Sequence, residues 1–286
     1  MTIFRHCGAN VPLAKPNAPM KKLRSRYLAE LTTPEVATYL RRSSKTVYLP
    51  AGAVEMHGPH QPIGTDTMIA RAFSLLMANA TDGLVLPEVS YSWAGATDGF
   101  AGTISVPPEM VIDLVTRIAV HCWKMGFRRI VVVSIHGTNN APLNICIRRL
   151  YETHGIVAQF LNPFTPATPA AEKIFAGKWE TGVEASLVLG ALTILGQSDL
   201  YSEKEMAYDD PAPRQLIHRS NFKGATGFYY QDIRHHVEPN RYTSRQRALE
   251  FFDLQVKGLI PSVQQLAGYA TKARKQWNQG WGRIEN

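Results

Sequence analysis

The run Arg129-Ile-Val-Val-Val-Ser-Ile135 constrains the fold of this chain more than any other stretch. It is β-branched almost throughout and has no polar face, so as a strand it suits burial on both sides, the situation inside a parallel sheet. Its neighbours supply helices to cover it. Pro107-Pro108-Glu109 opens an amphipathic helix through Lys124 that stops at Gly126, and Asn140 to Thr153 is helical, closed by His154-Gly155. Ile156 to Leu161 is the next strand. Upstream, Thr46-Val-Tyr-Leu-Pro50 is a short strand ending at a Pro-Ala-Gly turn. Thr67 to Asn79 then places Ile69, Phe73 and Leu76 on one helical face, and Leu84 to Tyr91 is strand-like again. Repeated strand-loop-helix units predict an α/β fold, a parallel sheet with helices on both faces.

The remaining segments are simpler. Residues 1–26 are rich in Pro and Lys without periodicity and read as an N-terminal arm, leaving 27–286 as one domain. Thr33 is the expected cap of the first helix, with Pro34 and Glu35 in its first turn and its end at Arg42. Asn162 to Ala171 reads as a Pro- and Thr-rich loop, Val183 to Leu195 as helix, and Tyr201 to Asn240 as irregular. Thr243 to Ala270 reads as one or two closing helices.

Composition narrows the function classes. With 45% hydrophobic residues in 286, the chain matches an ordinary compact enzyme-sized domain. Its net charge of +8 raises nucleic acid as a partner. Much of the excess, however, sits at the ends, in Lys15, Lys21, Lys22, Arg24 and Arg26 and again in Lys272, Arg274, Lys275 and Arg283, without interleaved aromatics. A solvated or subunit-contacting surface is the reading preferred. The longest apolar candidate, Val183 to Gly196, is too short to span a bilayer and carries Glu184. An N-terminus with Gly, Asn, Pro and Lys in place of an apolar block is expected to keep the protein in the cytoplasm. Cys7, Cys122 and Cys146 show no metal-like spacing, and the latter two read as small core residues.

In such sheets ligands bind beyond the carboxyl ends of the strands, which directs attention to the polar residues there. Glu55, His57, His60 and Asp66 follow the first strand, His136-Gly-Thr-Asn-Asn140 follows the valine-rich one, and Glu184 opens a helix. Together they offer the mixed oxygen and nitrogen donors of a divalent metal site. Glu55 and His57, two apart, project the same way if extended. Asp66, held at a helix start with both oxygens available, is the natural bridge between two ions. Each has a plain alternative: a solvated turn for Glu55 and His57, local backbone bonds for His136, a helix cap for Asp66, and a first-turn carboxylate opposing the dipole for Glu184.

The chain resembles the creatininase family, the creatinine amidohydrolases and their relatives. The carrying residues are Leu49-Pro-Ala-Gly-Ala-Val-Glu55-Met-His57-Gly-Pro-His60-Gln-Pro-Ile-Gly-Thr-Asp66, Gly99-Phe-Ala-Gly-Thr-Ile-Ser105, Ser134-Ile-His136-Gly-Thr-Asn-Asn140 and Glu184-Ala-Ser186. The resemblance covers about Thr33 to Ala270 and implies a three-layer αβα sandwich, often a homohexamer, with two divalent metal ions, zinc, manganese or iron. Carried over by position, Glu55, Asp66 and His136 would hold one ion and His57, Asp66 and Glu184 the other.

Two positions depart from the family pattern. Creatinine hydrolases carry a proton-transferring His five residues before the last metal-binding Glu, where this chain has Trp179. An indole donates a hydrogen bond but does not shuttle protons. Glu180 and His60 are the candidates to replace it, with His235-His236 an alternative. Thr138 stands where the creatinine enzyme has a metal-binding Glu, which argues against creatinine as substrate. Thr138, Asn139, Trp93 and Trp179 are the candidate substrate contacts, with Phe164 and Tyr229 as further aromatic wall. The expectation is a dinuclear amidohydrolase opening a C–N bond in a small cyclic amide, formamide or related non-peptide substrate. The alternative is a tailoring enzyme using the ions as Lewis acids for dehydration, cyclisation or rearrangement. A small-molecule substrate and a homo-oligomer are expected, with neither nucleic acid nor membrane as partner.

Overall fold

The structure is a computed structural model, and it describes residues 23–41, 44–176, 183–208 and 241–279. Four parallel strands, β1 (Thr46–Pro50), β2 (Gly83–Val85), β3 (Arg129–Val133) and β4 (Ala158–Leu161), form a sheet in the order β2-β1-β3-β4. The chain runs outward from β1 through α2 (Thr65–Thr81) to the edge strand β2. It returns through α3 (Pro108–Met125) to β3 on the other side of β1, then through α4 (Asn140–His154) to β4. The direction of winding therefore reverses between β1 and β3, the place where open α/β sheets leave a crevice.

Alternation along the strands divides the core in two. Tyr48, Val85, Val131, Val133 and Leu161 pack with α2, α6 (Val183–Ile194) and α8 (Arg245–Asn278), joined by Ala171 of α5 (Pro169–Phe175). Val47, Leu49, Leu84, Ile130, Val132 and Ala158 face α3, α4 and Tyr39 of α1 (Thr33–Tyr39). This is the expected three-layer αβα arrangement. Cys122 and Cys146 are buried in it, as read from the sequence. Among the described residues no helix is long and apolar enough to cross a membrane.

Several boundaries differ from those expected. Helix α1 is capped by Thr32 and not Thr33: Glu35 Oε2 accepts the Thr32 backbone N–H at 2.8 Å and its hydroxyl at 2.7 Å, and the helix stops at Tyr39. Strand β2 is shorter than Leu84 to Tyr91 because Pro87 has no N–H to donate. The chain nevertheless stays beside β1, with Leu86 N–H on Tyr48 O and Val89 N–H on Pro50 O. The regular strand β3 ends at Val133 and not at Ile135, although Ser134 N–H still donates to Leu161 O at 3.1 Å. The Pro- and Thr-rich loop gives way to α5, where the Thr168 hydroxyl caps Ala171 N–H ahead of Pro169. A short helix, α7 (Glu203–Met206), interrupts the irregular stretch, and the closing region is one helix with Pro261 inside it.

Residues 23–26, assigned to the arm, are tied to the domain: Arg24 pairs with Glu35 at 2.8 Å and Arg26 with Asp82 at 2.6 Å. Trp179, Glu180, Tyr229, His235 and His236 lie outside the described residues.

Candidate metal centre

The site forms where the winding reverses. The chain leaving β1 stays tied to Val133 O and Val89 O through the N–H groups of Ala51 and Gly52, and then carries Glu55 and His57 over the crevice. The chain leaving β3 brings His136 from the other side, and the first turn of α2 supplies Asp66. Glu184 enters from the first turn of α6, a helix apolar around most of its circumference and buried from Ala185 to Leu192. The ligand atoms of Glu55, Asp66 and His136 lie within 4.8 Å of one another, as do those of His57, Asp66 and Glu184. These are the two groupings the resemblance implied, with Asp66 common to both.

The distances suit cations. His136 Nδ1 lies 2.9 Å from Asp66 Oδ2 and 3.0 Å from Glu55 Oε1. His57 Nε2 lies 3.6 Å from Asp66 Oδ2 and 3.8 Å from both Glu55 Oε1 and Glu184 Oε1. Donors about 2.0–2.2 Å from one ion sit roughly 3–4 Å apart, the range in which these imidazole–carboxylate distances fall. Both imidazoles are oriented from behind. His57 Nδ1–H donates to Glu55 O at 3.0 Å and His136 Nε2–H donates to Trp93 O at 2.9 Å, which turns the other nitrogen of each ring toward the carboxylates. Glu55 Oε2 in turn accepts the Thr97 hydroxyl at 2.9 Å.

Burial and charge work against each other here. Burial alone would depress the His57 imidazole, but Asp66, Glu184 and Glu55 hold it up at about 10, and His136 is raised well above its ordinary value by Asp66 and Glu55. Asp66, despite complete burial, is held far below the usual carboxylate range by the same two imidazoles. The converging carboxylates thus favour a positive partner in this pocket, a role divalent cations fill. Glu55, His57, Asp66 and His136 are at most 4% exposed on their side chains and Glu184 is 27% exposed, so the open side of the centre is the Glu184 side.

Other expected site residues are placed differently. Asn139 is fully buried, and its amide N–H groups donate to Gly52 O at 3.1 Å and Ser134 Oγ at 3.3 Å, which braces the loop after β1 against the chain leaving β3. Trp93 is half-buried and reaches the centre through its backbone carbonyl. Its indole and the Thr138 methyl both flank Gly95. His60 stacks on Tyr208 with ring centroids 5.0 Å apart. Phe164 is 42% exposed. Sequence reading missed Thr97, an isolated threonine in a Gly-rich loop with no pattern to mark it, and missed Gly52 and Ser92, whose contacts only the fold creates.

Comparison with known proteins agrees with this geometry. The Creatininase family model, described as creatinine amidohydrolase, matches residues 29–246. The mycofactocin precursor peptide peptidase of Mycobacterium ulcerans (strain Agy99) is 33% identical over 134 residues, 43% of this chain and 52% of that protein. The creatinine amidohydrolase of Pseudomonas putida is 27% identical over 122 residues, 41% of this chain and 47% of that one. The chain thus spans about half the length of the curated relatives it matches. A solved mutant creatininase of Zn-Zn type superposes with a TM-score of 0.66 at 20% identity, covering 85% of this chain and 98% of that one. By the extent of the family match, the chain belongs to the creatininase family.

Proposed function

We propose that this chain is a dinuclear, divalent-metal amidohydrolase that opens a C–N bond. The observation that carries the reading is the donor set itself: two imidazoles, each fixed from behind by a backbone carbonyl, facing three carboxylates of which Asp66 is shared. When bound, a pair of divalent ions lowers the pKa of a water toward neutral and polarises a carbonyl oxygen. The protein's part is to hold those donors still and dry. Asp66 is fixed by the first turn of a 17-residue helix, Glu55 by Thr97, and His57 and His136 by their carbonyl partners. The Glu184 side is where a substrate amide enters. Thr138 and the Trp93 indole, at Gly95, are the groups proposed to meet it, and His60 and Glu180 remain the candidates for protonating the leaving nitrogen.

The M. ulcerans relative favours a second reading of the substrate, an amide within a peptide, over the small cyclic amide or formamide expected from sequence. A screen of cyclic amides, formamides and short peptides against the purified protein separates the two. Metal analysis tests the centre: Asp66→Ala is expected to lose both ions and all activity, and Glu184→Ala to lose one ion. Asp66→Ala protein that keeps its metal and its turnover would end the proposal.

A further inference from the structure

Both imidazoles of the centre are oriented by backbone carbonyls, and a carbonyl aims a ring only as well as its own peptide plane is fixed. The C=O of one residue and the N–H of the next belong to a single planar unit. Glu55 O, which accepts His57 Nδ1–H at 3.0 Å, therefore turns with Met56 N–H, and Trp93 O, which accepts His136 Nε2–H at 2.9 Å, turns with Ala94 N–H. Each of these N–H groups is held by a hydroxyl. Met56 N–H donates to Thr103 Oγ1 at 2.9 Å, and Ala94 N–H donates to Ser105 Oγ at 3.1 Å. Both hydroxyls come from Gly99-Phe-Ala-Gly-Thr-Ile-Ser105, a stretch that carries the family resemblance yet supplies no donor to the centre. It runs between the two chains that bear the carbonyls. Ile104 N–H donates to Val54 O at 2.9 Å on one side, and Val106 N–H to Ser92 O at 3.0 Å on the other.

We propose that Thr103 and Ser105 are positioning residues for the two histidines, Thr103 acting on His57 through the peptide 55–56 and Ser105 on His136 through the peptide 93–94. The proposal rests on the reading of the centre as a metal site. Satisfying a backbone N–H is ordinary service for a hydroxyl, and Thr168 and Ser244 do it at the starts of α5 and α8. Here the two N–H groups sit on the very peptides whose carbonyls aim the rings. A hydroxyl on the N–H side stops the plane from rocking, and it polarises the carbonyl on the far side, which strengthens that carbonyl's bond to the imidazole. The ring is then fixed in orientation and its other nitrogen is the more basic donor. Thr97, upstream in the same loop, bonds Glu55 Oε2 at 2.9 Å, so one loop steadies three of the five donors through three hydroxyls.

Cobalt(II) titration of the metal-free full chain tests this, because the visible absorption of the bound ion reports affinity and ligand geometry together. Wild type is expected to take up two ions. Ser105→Ala is expected to weaken, by roughly 10- to 100-fold, the binding step that His136→Ala abolishes, and Thr103→Val the step that His57→Ala abolishes, each with a changed visible band. Ser105→Thr and Thr103→Ser keep the hydroxyl and are expected to restore both affinity and spectrum. Ser262→Ala is the control for loss of a hydroxyl elsewhere: it removes the partner of Gln159 Nε2 at 3.1 Å and is expected to leave the titration unchanged. Wild-type protein that binds no cobalt ends the reading of the centre, and the positioning role falls with it. Wild-type protein that binds two ions overturns the positioning role alone if Ser105→Ala and Thr103→Val bind as tightly, if Ser262→Ala weakens binding as much as they do, or if the hydroxyl-keeping variants are as weak as the hydroxyl-free ones.

Discussion

Replacing Gly52 with alanine tests how closely the centre depends on one approach of backbone to backbone. A Cβ built on Gly52 would lie 2.3 Å from Thr67 Oγ1, 2.4 Å from Thr67 Cα and 2.5 Å from Thr67 N. Carbon atoms reach optimal contact near 3.5 Å, so the loop after β1 or the start of α2 must retreat by about 1 Å. Neither is at liberty to do so. Gly52 N–H is bound to Val89 O at 2.9 Å, and its carbonyl accepts Ser92 Oγ at 2.6 Å and Asn139 Nδ2 at 3.1 Å. Gly52 is three residues from Glu55 and Thr67 is adjacent to Asp66, so the retreat separates the carboxylates that share His136. Overpacking of this kind costs about 1–3 kcal/mol, and a 1 Å misplacement at a reacting centre costs on the order of 100-fold in rate. Thermal melts, metal content after dialysis and kcat/KM on a substrate found by screening measure all three effects. Gly137→Ala is the matched control: it adjoins His136, but its added Cβ meets nothing within 4 Å. Gly52→Ala protein that retains metal and turnover, or Gly137→Ala protein equally damaged, refutes the reasoning.

Three further outcomes are expected. Gln255, fully buried, donates to Pro163 O and Thr165 O and accepts from Ala167 N–H, so Gln255→Ala strands three backbone groups and should lower stability by about 2–4 kcal/mol in urea titration. Glu35 is held at about 2, below its ordinary 4.5, by the Thr32 backbone N–H, the Thr32 hydroxyl and Arg24. A depressed carboxyl contributes stability above its unfolded pKa and loses it as pH falls through its folded one, so wild type should lose its advantage over Glu35→Gln between about pH 4.5 and 2 in acid melts. Zinc or manganese at 100 times its dissociation constant should stabilise the folded state by about 2.7 kcal/mol, seen as a raised melting temperature in wild type and no shift in Asp66→Ala.

What was legible in the sequence followed from local rules. A β-branched run with no polar face announced β3, and Gly126 and Gly155, both left-handed at helix ends, announced where α3 and α4 stop. Where the boundaries differ, a neighbouring residue carries the stronger local signal. The Thr-x-x-Glu spacing selects Thr32 over Thr33 as cap, and Thr168-Pro169, a capping threonine followed by proline at the first helical position, is a start signal within a segment whose Pro and Thr content suggests loop. The shortening of β2 follows from Pro87, which breaks the regular ladder while Leu86 and Val89 still bond to β1. The metal-donor candidates were legible because identity and spacing mark them. The groups that aim them were not: Thr97 reaches Glu55 across 42 residues of chain and Asn139 reaches Gly52 across 87.

That division has a physical cause. A donor must be Glu, Asp or His wherever it stands, so its chemistry leaves a mark in the sequence. An orienting group need only present a carbonyl or a hydroxyl, which every residue or many residues can do. Trp93 shows the consequence. Its indole suggested a wall for a planar substrate, yet its contact with the centre is a backbone carbonyl that any residue would carry. The same reasoning places the +8 net charge, with much of its excess toward the chain ends, away from the chemistry. At the candidate centre three carboxylates converge, Glu55 and Asp66 buried and Glu184 27% exposed, away from the charge at the chain ends. Among the described residues, the imidazoles of His57 and His136, or the cations those rings are turned to receive, neutralise them.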